Sequence, residues 1–393
     1  MIALNRPYDV VRGNAERLAT VPVDAMHLDA ARLVYSSREG LNVIYRKLYE
    51  ERGAMRVAVS PLTCFIAIYP MVANGHVPVF VDIDPETLNM DENKLIQRED
   101  IDAVQVIHLG GNPMRMAIVM EWAKKNGVVV IEDCAQALGA KFKGKEVGTF
   151  GDYAVASAVK NVYATAGGIL ISNLGFQISN SEPAALDAAH LESEILGVSK
   201  AVMVYKHIKR WLEKRANAQR GGVWNALYEG LLRLKDTQES GFSNVVHRLP
   251  GDVEDEIRKK LNQLDAINAL RKTKAERLMS QIDSSLFAIQ QEPDGGISTR
   301  NRVLVVSRHR EAREVITALR KRGIAANNLT QSYTHPYQEH IREDAMLGAY
   351  YTELLPNYER IFPQVVCVPC SPGLTDSEID YIARCLAMEG QKG

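Results

Sequence analysis

Short apolar runs alternate with longer amphipathic stretches from residue 57 onward, and this alternation constrains the fold more than any other feature. The first three runs are Val57–Ser60, Pro78–Asp82 and Ala103–His108, and each ends in polar or turn residues. Such a pattern is typical of a parallel sheet with helices on both faces. The sequence therefore predicts an α/β fold with a mostly parallel central sheet.

Two polar side chains follow neighbouring strands of this predicted sheet. The stretch before Gly127 has helical spacing and ends at this glycine, and the next strand, Val128–Ile131, runs into Asp133. A further strand, Tyr153–Ser157, precedes Lys160. Ligands of open α/β sheets bind at the carboxyl ends of the strands, so we expect Asp133 and Lys160 in one site.

The length of the chain predicts two domains, because 393 residues exceed the size at which a single core keeps growing. A long amphipathic helix, Val253–Ile282, is the expected spine between them. We place a large domain at 1–249 and a smaller α+β domain at 250–393. The elements predicted after the spine are a strand at Arg302–Val306, a helix at Arg310–Lys321, a strand at Gly323–Ala326 and a helix at Ile379–Met388.

Charge and composition exclude several classes of partner. Lys and Arg number 47 and Asp and Glu 48, so the net charge of -1 gives no long-range attraction to nucleic acid or to an anionic membrane. No apolar run of signal-peptide or membrane-spanning length occurs, which predicts a cytoplasmic protein. The basic stretch within residues 176–240 is interpreted as a solvated helical face rather than a polyanion site.

The five cysteines are too few for a disulfide framework in a chain of this length. Cys367 and Cys370 have C-x-x-C spacing, but no second Cys or His pair lies near them in the sequence. A metal ion needs about four ligands, so structural thiols are favoured over a redox or zinc site and no metal is predicted.

Lys160 and Asp133 together indicate a particular chemistry. A lysine amine can form an imine with an aldehyde cofactor, and a sheet-end pocket lowers the pKa of such an amine. A carboxylate beside a pyridine nitrogen keeps that nitrogen protonated, so that the ring withdraws electrons from a substrate carbanion. Both requirements are met by this pair, which points to pyridoxal 5'-phosphate.

Five motifs, in order along about 300 residues, resemble those of the DegT/DnrJ aminotransferases. The resemblance implies a homodimer of fold type I that moves an amino group from glutamate onto a keto group of a nucleotide-linked sugar, as in polysaccharide biosynthesis. The motifs are Val79–Pro85, His108–Pro113, Ile131–Gly139, Gly148–Asp152 and Pro369–Asp376.

The resemblance assigns roles by position. Lys160 matches the lysine that forms the internal aldimine and shuttles the proton, and Asp133 matches the partner of the pyridinium nitrogen. Gln136 matches a side chain near the cofactor ring, and Ser157 matches a phosphate-binding serine.

Two further correspondences concern the cofactor. Ser37, Arg38 and Glu39 correspond to a phosphate loop that opens a helix, where main-chain N–H groups would bind the phosphate. Phe65 matches an aromatic that stacks on the ring, and packing in the core is an equal alternative.

The sequence also departs from the family pattern. Only two residues separate Ser157 from Lys160, fewer than usual, and Ser371 stands where many relatives have a histidine. Asn244 and Arg248 are candidates for substrate contacts across the dimer interface, although their spacing differs from that of the family.

Alternatives remain at this stage. His335 and Tyr337 either line a substrate cleft or belong to an ordinary loop. A dehydratase branch of the family carries histidine in place of the lysine, so Lys160 favours transamination over a dehydratase or lyase. The short lysine loop leaves open a non-catalytic regulator. A nicotinamide oxidoreductase is set aside because no G-x-G-x-x-G opens a helix after the first strand.

Overall fold

The computed structural model describes residues 31–173, 249–327 and 355–391. A seven-stranded sheet of order β1-β9-β8-β5-β4-β2-β3 forms its centre. The strands are β1 (Ala31–Val34), β2 (Arg56–Val59), β3 (Val77–Phe80), β4 (Ala103–Ile107), β5 (Val129–Cys134), β8 (Tyr153–Ser157) and β9 (Gly168–Ser172).

The directions of the strands determine at which edge of the sheet a ligand site is expected. Strands β2, β3, β4, β5 and β8 pair in parallel, whereas β9 runs antiparallel to both β8 and β1. Six strands therefore point the same way and end at one edge of the sheet. The predicted mostly parallel sheet is confirmed.

The helix that follows β1, Ser37–Arg52 (α1), packs on one face of the sheet. The Ser36 hydroxyl caps its start by accepting the N–H of Glu39 at 3.2 Å. Leu41, Ile44, Tyr45 and Leu48 recur at helical spacing and are all buried. The other helices around the large sheet are α2 (Phe65–Ala73), α3 (Glu92–Leu95), α4 (Met116–Asn126) and α5 (Ala158–Asn161).

Later in the chain, three antiparallel strands form a second sheet of order β10-β12-β13. Two helices cover it, and Thr375 and Glu378 form a capping box at the start of the last one. The strands are β10 (Phe287–Ile289), β12 (Val303–Ser307) and β13 (Val365–Val368), and the two helices are α8 (Ala312–Lys321) and α10 (Asp376–Gly390). The short helix α9 (Pro356–Ile361), which precedes β13, packs in the core of the large sheet.

Two details of the predicted C-terminal part were wrong. The spine is two helices, Gly251–Leu261 (α6) and Leu264–Met279 (α7), with a break between them. Gly323–Ala326 is not a strand: it begins with a turn and includes only an isolated bridge residue, Ile324, and the next residue, Asn327, forms an isolated bridge with Cys367.

Helix α7 contributes to two apolar cores. Leu264 and Ile267 pack with residues of the large sheet, whereas Ala275 and Leu278 join the core of the second sheet. A third small sheet, formed by β6 (Lys141–Phe142), β7 (Lys145–Glu146) and β11 (Gly296–Ile297), also joins the two halves of the chain. The domain boundary between 249 and 250 stays a prediction. Within the described ranges, none of the helices has the length and apolar character needed to cross a bilayer.

Candidate active site

A cavity of about 270 Å³ lies at the edge where the parallel strands end. Its walls come from the segments that follow β1, β2, β4, β5 and β8, as expected for an open α/β sheet. The lining residues are Ser36, Ser37, Arg38, Leu41, Thr63, Cys64, Ala67, Ile107, His108, Leu109, Asp133, Ala135, Gln136 and Lys160.

Asp133 stands near the end of β5, and only 6% of its surface is exposed. One carboxylate oxygen, Oδ1, accepts the N–H of Ala135 at 2.9 Å, and the other accepts the side-chain amide of Gln105 at 3.4 Å. Burial raises the pKa of Asp133, although the Ala135 N–H and the charge of Lys160 act in the opposite direction. This carboxylate therefore has a higher affinity for a proton than an exposed aspartate.

Lys160 lies in the last turn of α5, a four-residue helix that directly follows β8. Its carbonyl accepts the side-chain amide of Asn301 at 3.0 Å, and the next carbonyl, of Asn161, accepts the Arg271 guanidinium at 2.9 Å. Both donors come from the C-terminal half of the chain. The segment that carries the lysine is thereby fixed from both halves.

Ser157 caps this short helix: its hydroxyl accepts the N–H of Lys160 at 3.3 Å. It is 6% exposed and does not line the cavity. The cap follows from the short Ser157–Lys160 spacing, since the lysine occupies the third helical position. A phosphate-binding role for Ser157 stays a prediction.

The start of α1 forms another part of the cavity wall. Ser37 and Arg38 line the cavity, whereas Glu39 is buried outside it and its N–H bonds to Ser36. Gly168 permits the close approach of β9, because a Cβ there would lie 2.4 Å from the Ser37 nitrogen. A helix start offers N–H groups and the positive end of the helix dipole, which together favour an anion.

Gln136 also lines the cavity, and its amide oxygen accepts the N–H of Gly110 at 2.9 Å. This bond ties it to the glycine turn after β4. Phe65 begins α2, and its side chain lies outside what the structure describes. Asn244, Arg248, His335 and Tyr337 lie outside the described residues, so the predicted substrate contacts are untested.

His108 and Glu132 form a buried pair beside the site, and neither was predicted as a functional residue. His108 Nδ1 accepts the N–H of Met114 at 3.1 Å, so its proton is on Nε2, which lies 3.2 Å from the Glu132 carboxylate. Glu132 also accepts the N–H groups of Gly148, Phe150 and Gly151 at 2.8 Å. Both oxygens of the Glu132 carboxylate therefore have hydrogen-bond donors.

The same pair and Cys134 are the one group with metal-ligand spacing in the described part of the chain. Burial raises the pKa of the Cys134 thiol well above its usual value. Because His108 and Glu132 already use their polar atoms on each other and on the main chain, we interpret the group as structural.

Sequence reasoning missed part of the cavity wall. Thr63 and Cys64 follow the carboxyl end of β2, so the argument that selected Asp133 and Lys160 also applies to them. Gln105, which contacts Asp133 from the neighbouring strand, carried no local signal because its partners are distant in sequence.

These groups fit pyridoxal phosphate by their chemistry. The cavity brings together a lysine amine, a buried carboxylate and the start of a long helix with an arginine. Leu41, Ala67 and Leu109 add apolar surface suited to an aromatic ring. An amine, a proton acceptor and an anion site are the three functions that this cofactor requires.

Comparison with known proteins agrees with this chemistry. The sequence model of the DegT/DnrJ/EryC1/StrS aminotransferase family matches residues 28–178 and 257–387, well over half of the chain. The GDP-perosamine synthase of Escherichia coli O157:H7 is 39% identical over 151 residues, which are 37% of this chain and 41% of that protein. A pleiotropic regulatory protein of Geobacillus stearothermophilus is 34% identical over 182 residues, 40% of this chain and 47% of that protein. The matched segment thus spans less than half the length of these curated relatives.

Solved structures share the fold. An aminotransferase from Psychrobacter cryohalolentis superposes with a TM-score of 0.66 at 19% identity, covering 93% of this chain and 89% of that one. Helicobacter pylori PseC, an aminotransferase involved in the biosynthesis of pseudoaminic acid, gives a TM-score of 0.65 at 16% identity over 92% and 87% of the two chains. The fold is that of the fold type I transferases. The chain belongs to the DegT/DnrJ/EryC1/StrS aminotransferase family, and its cofactor is pyridoxal phosphate.

Proposed function

We propose that the protein is an aminotransferase that moves an amino group from glutamate to a keto group of a nucleotide-linked sugar. The observation that carries the proposal is the convergence of Lys160 and Asp133 on one cavity with the start of α1. Among the relatives, the names GDP-perosamine synthase and dTDP-3-amino-3,6-dideoxy-alpha-D-galactopyranose transaminase support an acceptor of this class.

Four residues of the cavity have tasks in this reaction. Pyridoxal phosphate supplies an aldehyde for the amino group and a ring that withdraws electrons from the carbon that loses its proton. Lys160 would anchor the aldehyde and, once displaced by the donor, move the proton with its Nζ. Asp133 would hold the proton at the ring nitrogen, and the N–H groups of Ser37 and Arg38 would bind the phosphate.

The position of Asp133 suits its task. Its burial raises its affinity for a proton, and the two hydrogen bonds to its oxygens stabilise the charged form. A carboxylate in this balance shares a proton strongly with a pyridine nitrogen. In open solvent the same group would be a much weaker partner.

Two other functions each have one supporting observation. A GDP-4-keto-6-deoxymannose-3-dehydratase superposes with a TM-score of 0.64, so the fold alone does not distinguish dehydration from transamination. The name of the Geobacillus relative favours a regulatory role. The presence of lysine at position 160 favours transamination over dehydration, and the response of the bound cofactor to an amino donor distinguishes transamination from regulation.

We further propose that the protein is a cytoplasmic homodimer in which Asn244 and Arg248 reach the partner's substrate. Val159, next to the lysine, is 44% exposed, and Tyr35, near the start of α1, is 39% exposed. A dimer interface beside the cavity, as the family resemblance implies, would cover both side chains. Light scattering of the purified protein should give twice the mass of the chain, and the mass of a single chain would contradict the proposal.

The decisive experiment combines a spectrum with nitrogen transfer. Wild-type protein with pyridoxal phosphate should show a visible band that changes on addition of glutamate, and labelled nitrogen should appear in a keto-sugar nucleotide. Lys160→Ala should lose the band and the transfer, whereas Lys145→Ala, an exposed lysine, should keep both.

Each alternative gives a different result. Loss of oxygen from the sugar without nitrogen transfer would indicate a dehydratase. A bound cofactor that does not respond to any amino donor would indicate a regulator. If Lys160→Ala retained the wild-type spectrum, the assignment of Lys160 would be wrong.

A further inference from the structure

A buried polar network lies behind the Asp133 carboxylate, on the side of the sheet that α1 covers. Gln105 projects from β4, which neighbours β5, and pairs in register with Ile131, two residues before Asp133. Side chains two residues apart point to the same face of a sheet, so Gln105 and Asp133 share a face. The Gln105 amide lies 3.4 Å from Asp133 Oδ2.

Tyr45 completes this network from α1. Its hydroxyl donates to the Gln105 amide oxygen at 2.5 Å, and both side chains are fully buried. Burial raises the pKa of Tyr45 well above its usual value, with a smaller contribution from the charge of Asp133, so the phenol keeps its proton and remains a donor. We call Tyr45, Gln105 and Asp133 the buried triad.

The hydroxyl fixes which end of the Gln105 amide faces Asp133. Because the amide oxygen accepts from Tyr45, the NH₂ group is the end that faces the carboxylate. Asp133 Oδ1 is held separately by the Ala135 N–H. Each oxygen therefore has its own donor, and the plane of the carboxylate is fixed.

Packing alone does not account for these polar side chains. Tyr45 belongs to a core cluster otherwise made of aliphatic, aromatic and sulfur-containing side chains, including Leu41, Ile44 and Ile131. Burying an amide and a hydroxyl there is unfavourable unless they are hydrogen-bonded, and a nonpolar pair of similar shape would pack equally well. The hydrogen bonds of Tyr45 and Gln105 instead hold the Asp133 carboxylate, which the Gln105 amide faces.

We propose that Tyr45 and Gln105 are positioning residues that orient the Asp133 carboxylate and stabilise its charge toward the ring nitrogen of the cofactor. This inference rests on the proposed role of Asp133. Gln105 is well suited because it donates a hydrogen bond without adding a positive charge that would compete with the ring for Asp133. Tyr45 acts only through Gln105, so removing either residue should have one shared effect.

The first test measures cofactor binding by the cofactor-free protein. Gln105→Met and Tyr45→Phe, which keep the side-chain size, should each raise the dissociation constant of pyridoxal phosphate roughly five- to tenfold, the effect of one ordinary hydrogen bond. The double variant should resemble Gln105→Met alone, because the two residues act in series. Tyr358→Phe, which removes the hydroxyl of another buried tyrosine in the same core, should leave the constant unchanged.

The second test uses pH. Loss of a donor raises the pKa of Asp133, so the acid limb of the pH profile of kcat/KM should move to higher pH in Gln105→Met and Tyr45→Phe. The ionisable side chains nearby that act on Asp133 are Lys160 and His108, and neither is altered by these substitutions. A purely structural role would lower stability without moving this limb.

The outcomes separate the inference from the proposed function. If Asp133→Asn weakens cofactor binding but Gln105→Met and Tyr45→Phe bind and titrate like wild type, the inference is overturned and the function stands. Additive effects in the double variant would also overturn it. If Asp133→Asn itself binds normally and keeps the wild-type pH profile, the proposed function fails. Should Gln105→Met not fold, Tyr45→Phe alone decides between these outcomes.

Discussion

At the scale of single residues, the site depends on groups whose ionisation is set by burial. Asp133 and Lys160 act on each other electrostatically in a cavity where solvent is limited. Such an environment is unfavourable for the carboxylate when the cofactor is absent, and favourable when a ring nitrogen shares its proton. Stability and function are therefore opposed at Asp133.

We expect Asp133→Asn to stabilise the cofactor-free protein while it lowers activity. Because burial raises the pKa of Asp133, the folded state binds a proton that the unfolded state has released. Wild-type stability should therefore fall as pH rises from the unfolded pKa through the raised folded pKa, and the asparagine variant should lack this decrease. Thermal unfolding at acidic and neutral pH measures the difference, and kcat should drop on the order of 10²-fold. A variant that is less stable than wild type at neutral pH would contradict this account.

Cysteine labelling gives a second test at this scale. Burial raises the pKa of Cys367 to about 11 and that of Cys370 to about 12, so both remain unreactive thiols at neutral pH. Cys134 and Cys385 are also buried, whereas Cys64 is half-buried and lines the cavity. Iodoacetamide should label Cys64 first, and pyridoxal phosphate should slow that reaction. Rapid labelling of Cys367 or Cys370 in the folded protein would contradict the structural assignment.

At the scale of elements, the short helix α5 depends on contacts from outside itself. Four residues are too few for a stable helix in isolation. Arg271, in α7, is fully buried and donates to the carbonyl of Asn161, the side chain of Asn268 and the hydroxyl of Tyr163. Among the described residues, no carboxylate lies within ion-pair distance of this guanidinium. Its role is therefore to hold the end of α5 and, through it, Lys160.

Replacing Arg271 with Met should destabilise the protein by about 2–4 kcal/mol, because buried carbonyl and amide groups lose their donor. It should also lower kcat more than it raises KM, since Lys160 would lose its fixed position. Arg258→Met is the matched control: Arg258 is exposed and forms a pair with Glu254 within one helix turn, so its loss should cost less than about 0.5 kcal/mol. Denaturant unfolding and steady-state kinetics separate the two variants. Equal effects at both positions would reject a specific role for Arg271.

At the scale of the whole molecule, the features that could be predicted were the local ones. Strand Tyr153–Ser157 was predicted at its observed bounds, because a buried strand is an apolar run with clear ends. Strand Ala31–Val34 was missed, since it is short, includes Arg32 and lies at the sheet edge. The pairing of Asp133 with Lys160 followed from topology, but the Tyr45–Gln105 bond spans 60 residues and leaves no periodic signal. The short break between α6 and α7 was invisible because no proline or glycine marks it.

The two halves of the chain are joined by a contact that no sequence pattern indicates. Asp82, just after β3, accepts the N–H groups of Asn357 and Tyr358 at 3.0 and 2.8 Å and pairs with Lys94 at 2.6 Å. It thus caps the start of α9 from a position 275 residues away. Burial alone would raise the pKa of Asp82, but Lys94 and these N–H groups together lower it.

We therefore expect Asp82→Asn to destabilise the whole molecule rather than one half. The asparagine keeps one acceptor oxygen and loses the charge, so the free energy of unfolding should fall by about 1–3 kcal/mol. Because the folded pKa of Asp82 lies below the unfolded one, its contribution is present above the unfolded pKa and is lost as pH falls through the folded value. Wild type and variant should accordingly converge in stability at acidic pH. Asp376→Asn, at an exposed pair with Lys274, is the control and should change stability far less.

Wild type and Asp82→Asn should each unfold in a single calorimetric transition, because residues 355–367 share a core with the large sheet. Two separate transitions would show that the two halves of the chain are not coupled through this contact.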